Sequence, residues 1–310
     1  MSNVQKINFP KLSLLEIKAP LSTVVAFLSC VNIPSQTEVY LCCIHEYDLF
    51  PFSPDDYALL PLALAQRYKL SEDQKSSSPT ICLLVITFNS IQARLILSAS
   101  EYVCGSSLSK ILDCNALLDI SIPMDSSMLG FIEELMNNIF CSIPLVDVES
   151  VHIIGPPVSA TFWRKLLGHL RDVWYIKLKQ GDMPDLASVL TLTTHEGPEN
   201  CDECSGKLAP VLQELELDKI GFLPEGGQGS SISQRCLFDA LSTRGVPKGR
   251  LTMTQCAICD GTMLRSGPIN TVCSWDGLIS VPVDGVRLSC SYEESESEEE
   301  DDWEDDSDDE

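Results

Sequence analysis

The chain has 310 residues, 44% of them apolar and only 21% charged, enough apolar side chain for a continuous core in one large domain or two smaller ones. Its formal charge is −24, but residues 293–310 carry 14 of the 45 acids and no base, which leaves the body with 31 acids against 21 bases, a net −10. Neither part offers the basic stripe that a phosphate backbone requires, and no run approaches the ~20 apolar residues that span a bilayer, so neither a nucleic-acid nor a membrane partner is expected.

A six-residue phrase, aliphatic-x-x-aliphatic-x-aliphatic, punctuates the chain five times: Leu12/Leu15/Ile17, Leu117/Ile120/Ile122, Val148/Val151/Ile153, Val173/Ile176/Leu178 and Leu212/Leu215/Leu217. Such a phrase opens a leucine-rich repeat, in which a short strand joins a parallel sheet and a helix or loop returns the chain to the next strand. The predicted fold is therefore α/β: an irregular leucine-rich-repeat solenoid over residues 1–290, with a curved, mostly parallel sheet and helices on its convex side. The phrase starts lie 105, 31, 25 and 39 residues apart, against about 20 to 29 in regular repeats.

In chain order, the first phrase predicts a strand, and Val24, Val25, Phe27, Leu28 and Val31 predict a helix behind a Ser22 cap. A strand follows over Glu38–Ile44, then a short helix in 50–65 that opens near Pro54 and Asp55, then a polar loop over 71–79. Two β-rich runs, 80–88 and 93–98, flank residues 89–92 and read as a hairpin inserted into the repeat array. From Leu117 the alternation is cleaner: strand 117–122, helix 126–141, strand 148–154, helix 159–169, strand 173–178, helix 184–192. A helix near 233–243, a strand over 250–255 and edge strands or extended chain within 271–288 complete the body. Where regular repeats place a turn-satisfying Asn, this chain has Pro20, Asp125, Pro156, Gly181 and Ile220, so an asparagine ladder is absent and a loosely wound array is expected.

Fourteen cysteines raise the question of disulfides, yet Cys30, Cys42, Cys43, Cys82, Cys104 and Cys141 lie in or beside apolar runs, where a thiol behaves as a small hydrophobe. With no signal-like N-terminal run, the expected location is cytoplasmic or nuclear. Cys201-x-x-Cys204 and Cys256-x-x-Cys259 have the form of two zinc knuckles, with His195 nearby, but the 51 residues between the pairs far exceed the usual spacing of about 12 to 20. Cys256 also abuts a predicted strand, where it would face the core. No metal or other cofactor is expected.

The four histidines, His45, His152, His169 and His195, stand in no nucleophile motif; Gly105–Ser109 lacks the second glycine of a nucleophile elbow, and Gly226–Gly229 lacks the Lys-Ser/Thr of a phosphate loop. Phe162, Trp163, Leu166, Leu167 and Leu170 recur at helical spacing as a core face, with Arg164 and Lys165 on the wet side. Nothing here predicts an enzyme. The outward positions of the strands are the candidate contact surface for a protein client: Leu14, Glu16, Asp119, Ser121, Glu149, Ser150, His152, Trp174, Tyr175, Lys177, Gln213, Glu214 and Glu216, of which Glu16, Asp119, His152, Trp174, Lys177 and Glu216 are the chosen set.

Residues 291–310 have too little apolar surface to order themselves and are predicted to be a disordered acidic tail. It is either a solubilising extension or an arm for basic proteins such as histones, and Ser295, Ser297 and Ser307 match the pattern of acidophilic kinase targets.

Phe9–Ile17, Ile33-Pro34 before a strand, Phe162–Leu170 before a strand, Leu212–Leu217 and the late Cys273-Ser-Trp-Asp-Gly277 before an acidic run together resemble the leucine-rich-repeat portion of fungal F-box-like proteins, over about residues 7 to 290. The resemblance implies repeats that recruit substrates for a cullin ubiquitin ligase. In that family an N-terminal F-box docks onto the ligase's adaptor subunit. Here the first repeat starts almost at Met1, so the cullin-ligase adaptor is an expected partner only if an F-box is supplied upstream.

Overall fold

The computed structural model describes residues 6–44, 54–68, 80–99, 116–124, 126–156, 158–182, 186–191, 208–222, 237, 240–241, 249–258 and 269–274. They form strands β1 (Ile7–Asn8), β2 (Leu14–Pro20), β3 (Val31–Asn32), β4 (Glu38–Ile44), β5 (Leu83–Phe88), β6 (Gln92–Ser98), β7 (Ala116–Pro123), β8 (Ser150–Ile154), β9 (Tyr175–Asp182), β10 (Glu214–Phe222), β11 (Arg250–Ile258) and β12 (Ile269–Ser274). The helices are α1 (Leu21–Cys30), α2 (Pro54–Tyr68), α3 (Leu129–Phe140), α4 (Ala160–His169) and α5 (Leu186–Thr191). Leu237, Ala240 and Leu241 are also helical and buried. The acidic tail, Cys201, Cys204, Cys259, His45 and His195 lie outside the described residues.

Ten strands make one sheet in the order β12-β11-β10-β9-β8-β5-β6-β7-β4-β2, while β1 and β3 pair separately. Only β6 and β12 run against the others. The fold is thus mixed α/β with a largely parallel sheet, as the phrase spacing implied.

The phrase writes the core directly. Its fourth and sixth positions form two unbroken aliphatic rungs: Leu15-Val39-Leu118-Leu97-Leu84-Val151-Ile176-Leu215-Leu251, and Ile17-Leu41-Ile120-Leu95-Ile86-Ile153-Leu178-Leu217-Met253. Both rungs face the helix layer, where one cluster joins them to Leu21, Leu60, Phe140, Phe162 and Leu186. Burying each such side chain contributes about 1.5–3 kcal/mol. The predicted stripe on α4 is this contact, with Phe162, Trp163, Leu166 and Leu167 buried and Arg164 and Lys165 exposed.

Two registers differ from the sequence reading. Leu118, not Ile120, pairs with Val39, so the two inward sites of the phrase in β7 are Leu118 and Ile120 and the copy read from Leu117 is displaced by two residues. The displacement leaves every side chain on the expected face, because a strand has period two. Ile81-Cys-Leu-Leu84-Val-Ile86 is a further in-register copy, with all three aliphatic residues buried. The β5 half of the hairpin is therefore an ordinary parallel member of the sheet, and β6 alone is the insertion. The chain places β5 two strands beyond β7, folds back through β6, and crosses over both to reach β8.

Backbone hydrogen bonds repeat in step with the phrase. The Cys82 carbonyl accepts from Glu149 and Ser150, the Glu149 carbonyl from Trp174 and Tyr175, and the Trp174 carbonyl from Gln213 and Glu214. The N–H groups of Leu12, Val148 and Leu212 each donate to the carbonyl three residues earlier, closing a turn before the strand. Backbone groups thereby satisfy one another at the turns that lead into these strands. At the far end of the strands, Gly155, Gln180, Lys219 and Gln255 all have positive φ (125°, 63°, 58° and 52°) at one level of four neighbouring strands, a stacked irregularity.

The helix caps also show how units join. Glu133 on α3 accepts from Ser159 N at 2.9 Å and Ser159 Oγ at 2.6 Å, while Ser159 Oγ accepts from Phe162 N at 3.1 Å, so one helix's carboxylate sits at the next helix's N-terminus. On α1 the expected Ser22 cap is not used: the helix begins at Leu21 behind Pro20, with no side-chain cap. Gly168 lies inside α4 with nothing within 4 Å of where a Cβ would sit. Gly168→Ala is therefore expected to raise the unfolding free energy by about 0.5–1 kcal/mol, read from urea midpoints.

Candidate functional site

The face of the sheet away from the helices is charged, and its register settles which charges meet. The rung between the two aliphatic ones reads Glu16-Tyr40-Asp119-Ile96-Val85-His152-Lys177-Glu216-Thr252. Five of the six chosen residues, Glu16, Asp119, His152, Lys177 and Glu216, stand on it. The sixth, Trp174, precedes β9 and lies half-buried against Tyr175, ring centroids 5.7 Å apart.

Burial sorts this rung. Leu83, Val85, Ile96, Ala116 and Tyr175 form a second apolar cluster on this face. Asp119 is 8% exposed and His152 0%, so neither presents a surface to a partner in this conformation. Asp119 instead takes a bidentate pair from Arg94, with Nε to Oδ1 at 2.9 Å and Nη2 to Oδ2 at 2.6 Å. His152 packs edge-on against Tyr175 at 5.5 Å. Burial pushes its pKa down to about 3, the Lys177 charge acts the same way and Glu216 opposes them, so the imidazole is neutral at pH 7.

Toward β11 the face opens. Lys177 Nζ donates to Glu216 at 2.5 Å, Lys179 meets Asp218 at 3.4 Å and Arg250 meets Glu214 at 3.7 Å. The Tyr175 hydroxyl also donates to Glu216. Burial alone would raise the Glu216 pKa, but the hydrogen bonds from Lys177 and Tyr175 outweigh it and hold the carboxyl below its ordinary value. β10 thus carries an acidic stripe, Glu214, Glu216 and Asp218, flanked by cations from β9 and β11. Each cross-strand pair contributes about 0.2–1 kcal/mol, so the pattern adds only modestly to stability.

Elsewhere, Arg67 on α2 donates to the carbonyls of Ser35, Thr37 and Leu117, fastening α2 to the entries of β4 and β7 beside a cavity of about 210 Å³. Cys141 Sγ lies 3.5 Å from His169 Nε2 on the helix layer, away from the charged rungs, and burial lowers the His169 pKa. Cys256 is buried on the helix side, its thiol donating to the Leu217 carbonyl at 3.4 Å, and burial raises its pKa. Among the described residues no group of three or more His, Cys, Asp or Glu is placed to hold a metal, and no helix is long and apolar enough to cross a membrane.

The fold and this face define a mixed α/β protein with a largely parallel sheet, helices on one face and a cross-strand charge pattern on the other. No family model, curated protein or solved structure matches the chain.

Proposed function

We propose that the chain is a non-enzymatic protein-interaction scaffold of irregular leucine-rich-repeat type, working through the charged face over β9–β11. The observation that carries this reading is the single rung on which the phrase's outward residues align, running into half-buried, charge-striped strands. Its client is a protein segment with alternating charge that can exchange ion pairs with Lys179, Asp218, Glu214 and Arg250. By resemblance to fungal F-box-like proteins, the role is that of a substrate-recognition half of a ubiquitin-ligase adaptor, with the cullin-ligase adaptor subunit as partner only through an upstream F-box.

The test is quantitative affinity capture with the full chain and a Lys179→Glu/Arg250→Glu variant. Clients that bind the face are expected to fall at least about tenfold in the variant, while its thermal midpoint stays unchanged. An unaltered client set rejects the face as the contact surface. Recovery of clients without any cullin or adaptor subunit rejects direct engagement of the ligase by residues 1–310 and leaves the scaffold.

The acidic run 293–310 supports a second reading, a binder or chaperone of basic proteins such as histones. Histone binding that survives deletion of these residues would reject it.

A further inference from the structure

β2 ends the sheet, and it is finished unlike the strands inside. Among the described residues nothing pairs with its outer edge. Leu15 and Ile17 occupy the rungs of Val39 and Leu41, which are 1% and 2% exposed, yet they are themselves only half-buried. Ile7, Phe9, Leu14 and Phe27 add further exposed apolar surface at this end. Stacked repeats need a polar end to remain in solution, and an exposed regular strand edge templates pairing.

One hydrogen bond shows which backbone groups face outward. The Ser13 carbonyl accepts from Glu38 N at 2.8 Å, so Ser13, Leu15, Ile17 and Ala19 direct their amide groups toward β4. Backbone groups alternate sides along a strand, so Leu14, Glu16 and Lys18 offer both N–H and C=O to the free edge, and Pro20 offers a carbonyl.

We propose that this edge is a homodimer interface, in which β2 pairs antiparallel with β2 of a second copy about a two-fold axis through Ile17. Glu16 of each copy then faces Lys18 of the other, and each such pair exchanges both of its backbone hydrogen bonds. The Leu14 amide finds the Pro20 carbonyl, and the two side chains meet. Ile17 meets Ile17 at the close, non-hydrogen-bonded position, with Leu15 opposite Ala19, covering the apolar residues that the end of the sheet leaves half-buried. A lysine on an edge strand ordinarily discourages such pairing. Here Glu16 neutralises it in this register, whereas a shift of two residues sets Glu16 against Glu16 or Lys18 against Lys18. The interface is self-complementary, as a two-fold contact requires.

Sedimentation equilibrium of the full chain at micromolar concentration is expected to give a dimer. Glu16→Lys and Lys18→Glu each set like charges opposite across the seam and are expected to weaken the dimer by about tenfold or more. An equimolar mixture of the two variants restores it, because each then supplies the charge the other lacks. Both side chains are exposed, so the thermal midpoints of the variants match the wild type and a folding defect is distinguishable from lost association. A monomeric wild type, a dimer that both variants leave intact, or a mixture no more associated than either variant alone overturns the proposal.

Discussion

Gly155→Ala is expected to lower the unfolding free energy by about 3 kcal/mol or more, a large share of the roughly 5–15 kcal/mol that holds an ordinary domain folded. Gly155 closes β8 with φ +125°, a conformation that L side chains rarely adopt. A Cβ there would stand 2.1 Å from the Phe88 carbonyl oxygen, a backbone atom that cannot turn aside. Phe88 is fixed on both sides, since it ends β5 and its ring packs against Phe162 at 6.2 Å. The Gly155 N–H also donates to the Lys179 carbonyl at 3.0 Å, so retreat of the chain to relieve the clash breaks the bond that carries β8 into β9. Urea denaturation beside Gly168→Ala gives the internal control: one glycine-to-alanine change should destabilise strongly while the other stabilises slightly. A Gly155→Ala protein with an unchanged midpoint would show that the approach to Phe88 is not close.

Acid is expected to destabilise the protein through His152. In the unfolded chain this imidazole titrates near 6.5, whereas in the fold burial holds its pKa at about 3. Between those values the unfolded state binds a proton that the folded state does not, so stability is complete above pH 6.5 and falls as the pH drops toward 3. The slope is about 1.4 kcal/mol per pH unit, or about 2 kcal/mol between pH 7 and pH 5. His152→Leu removes this share, while His169, whose pKa burial also lowers, continues to contribute. Glu216 lies below its ordinary value and acts at lower pH, outside this window. Urea midpoints at pH 7 and pH 5 should converge in the variant by most of that difference. Equal pH losses in wild type and variant would mean that His152 is protonated in the folded state.

Much of the sheet was legible because the two faces of a strand alternate. The inward sites of the phrase are aliphatic in every copy, and that parity survives an error of register: Asp119 and Ser121 were placed on the correct face although the phrase at Leu117 starts two residues late. Ile81/Leu84/Ile86 went unseen for the opposite reason. Its outward neighbours, Leu83 and Val85, are also apolar, so the run reads as a uniformly hydrophobic strand without a repeat's alternation. The Ser22 cap failed because Pro20, with φ −53° and ψ 148°, already directs the chain into the helix one residue earlier.

By itself, then, the sequence determined the class of fold, the aliphatic rungs that bind strands to helices, and the charged character of the opposite face. These depend on local period and burial, which residue order encodes directly. Tertiary structure decided which outward residues remain outward. His152 and Asp119 occupy the same strand sites as Glu16 and Glu216, yet the centre of the sheet buries them and its ends do not. It also decided the strand order, in which β5, β6 and β7 run backward through the sheet, because pairing between distant strands depends on which rungs coincide in space.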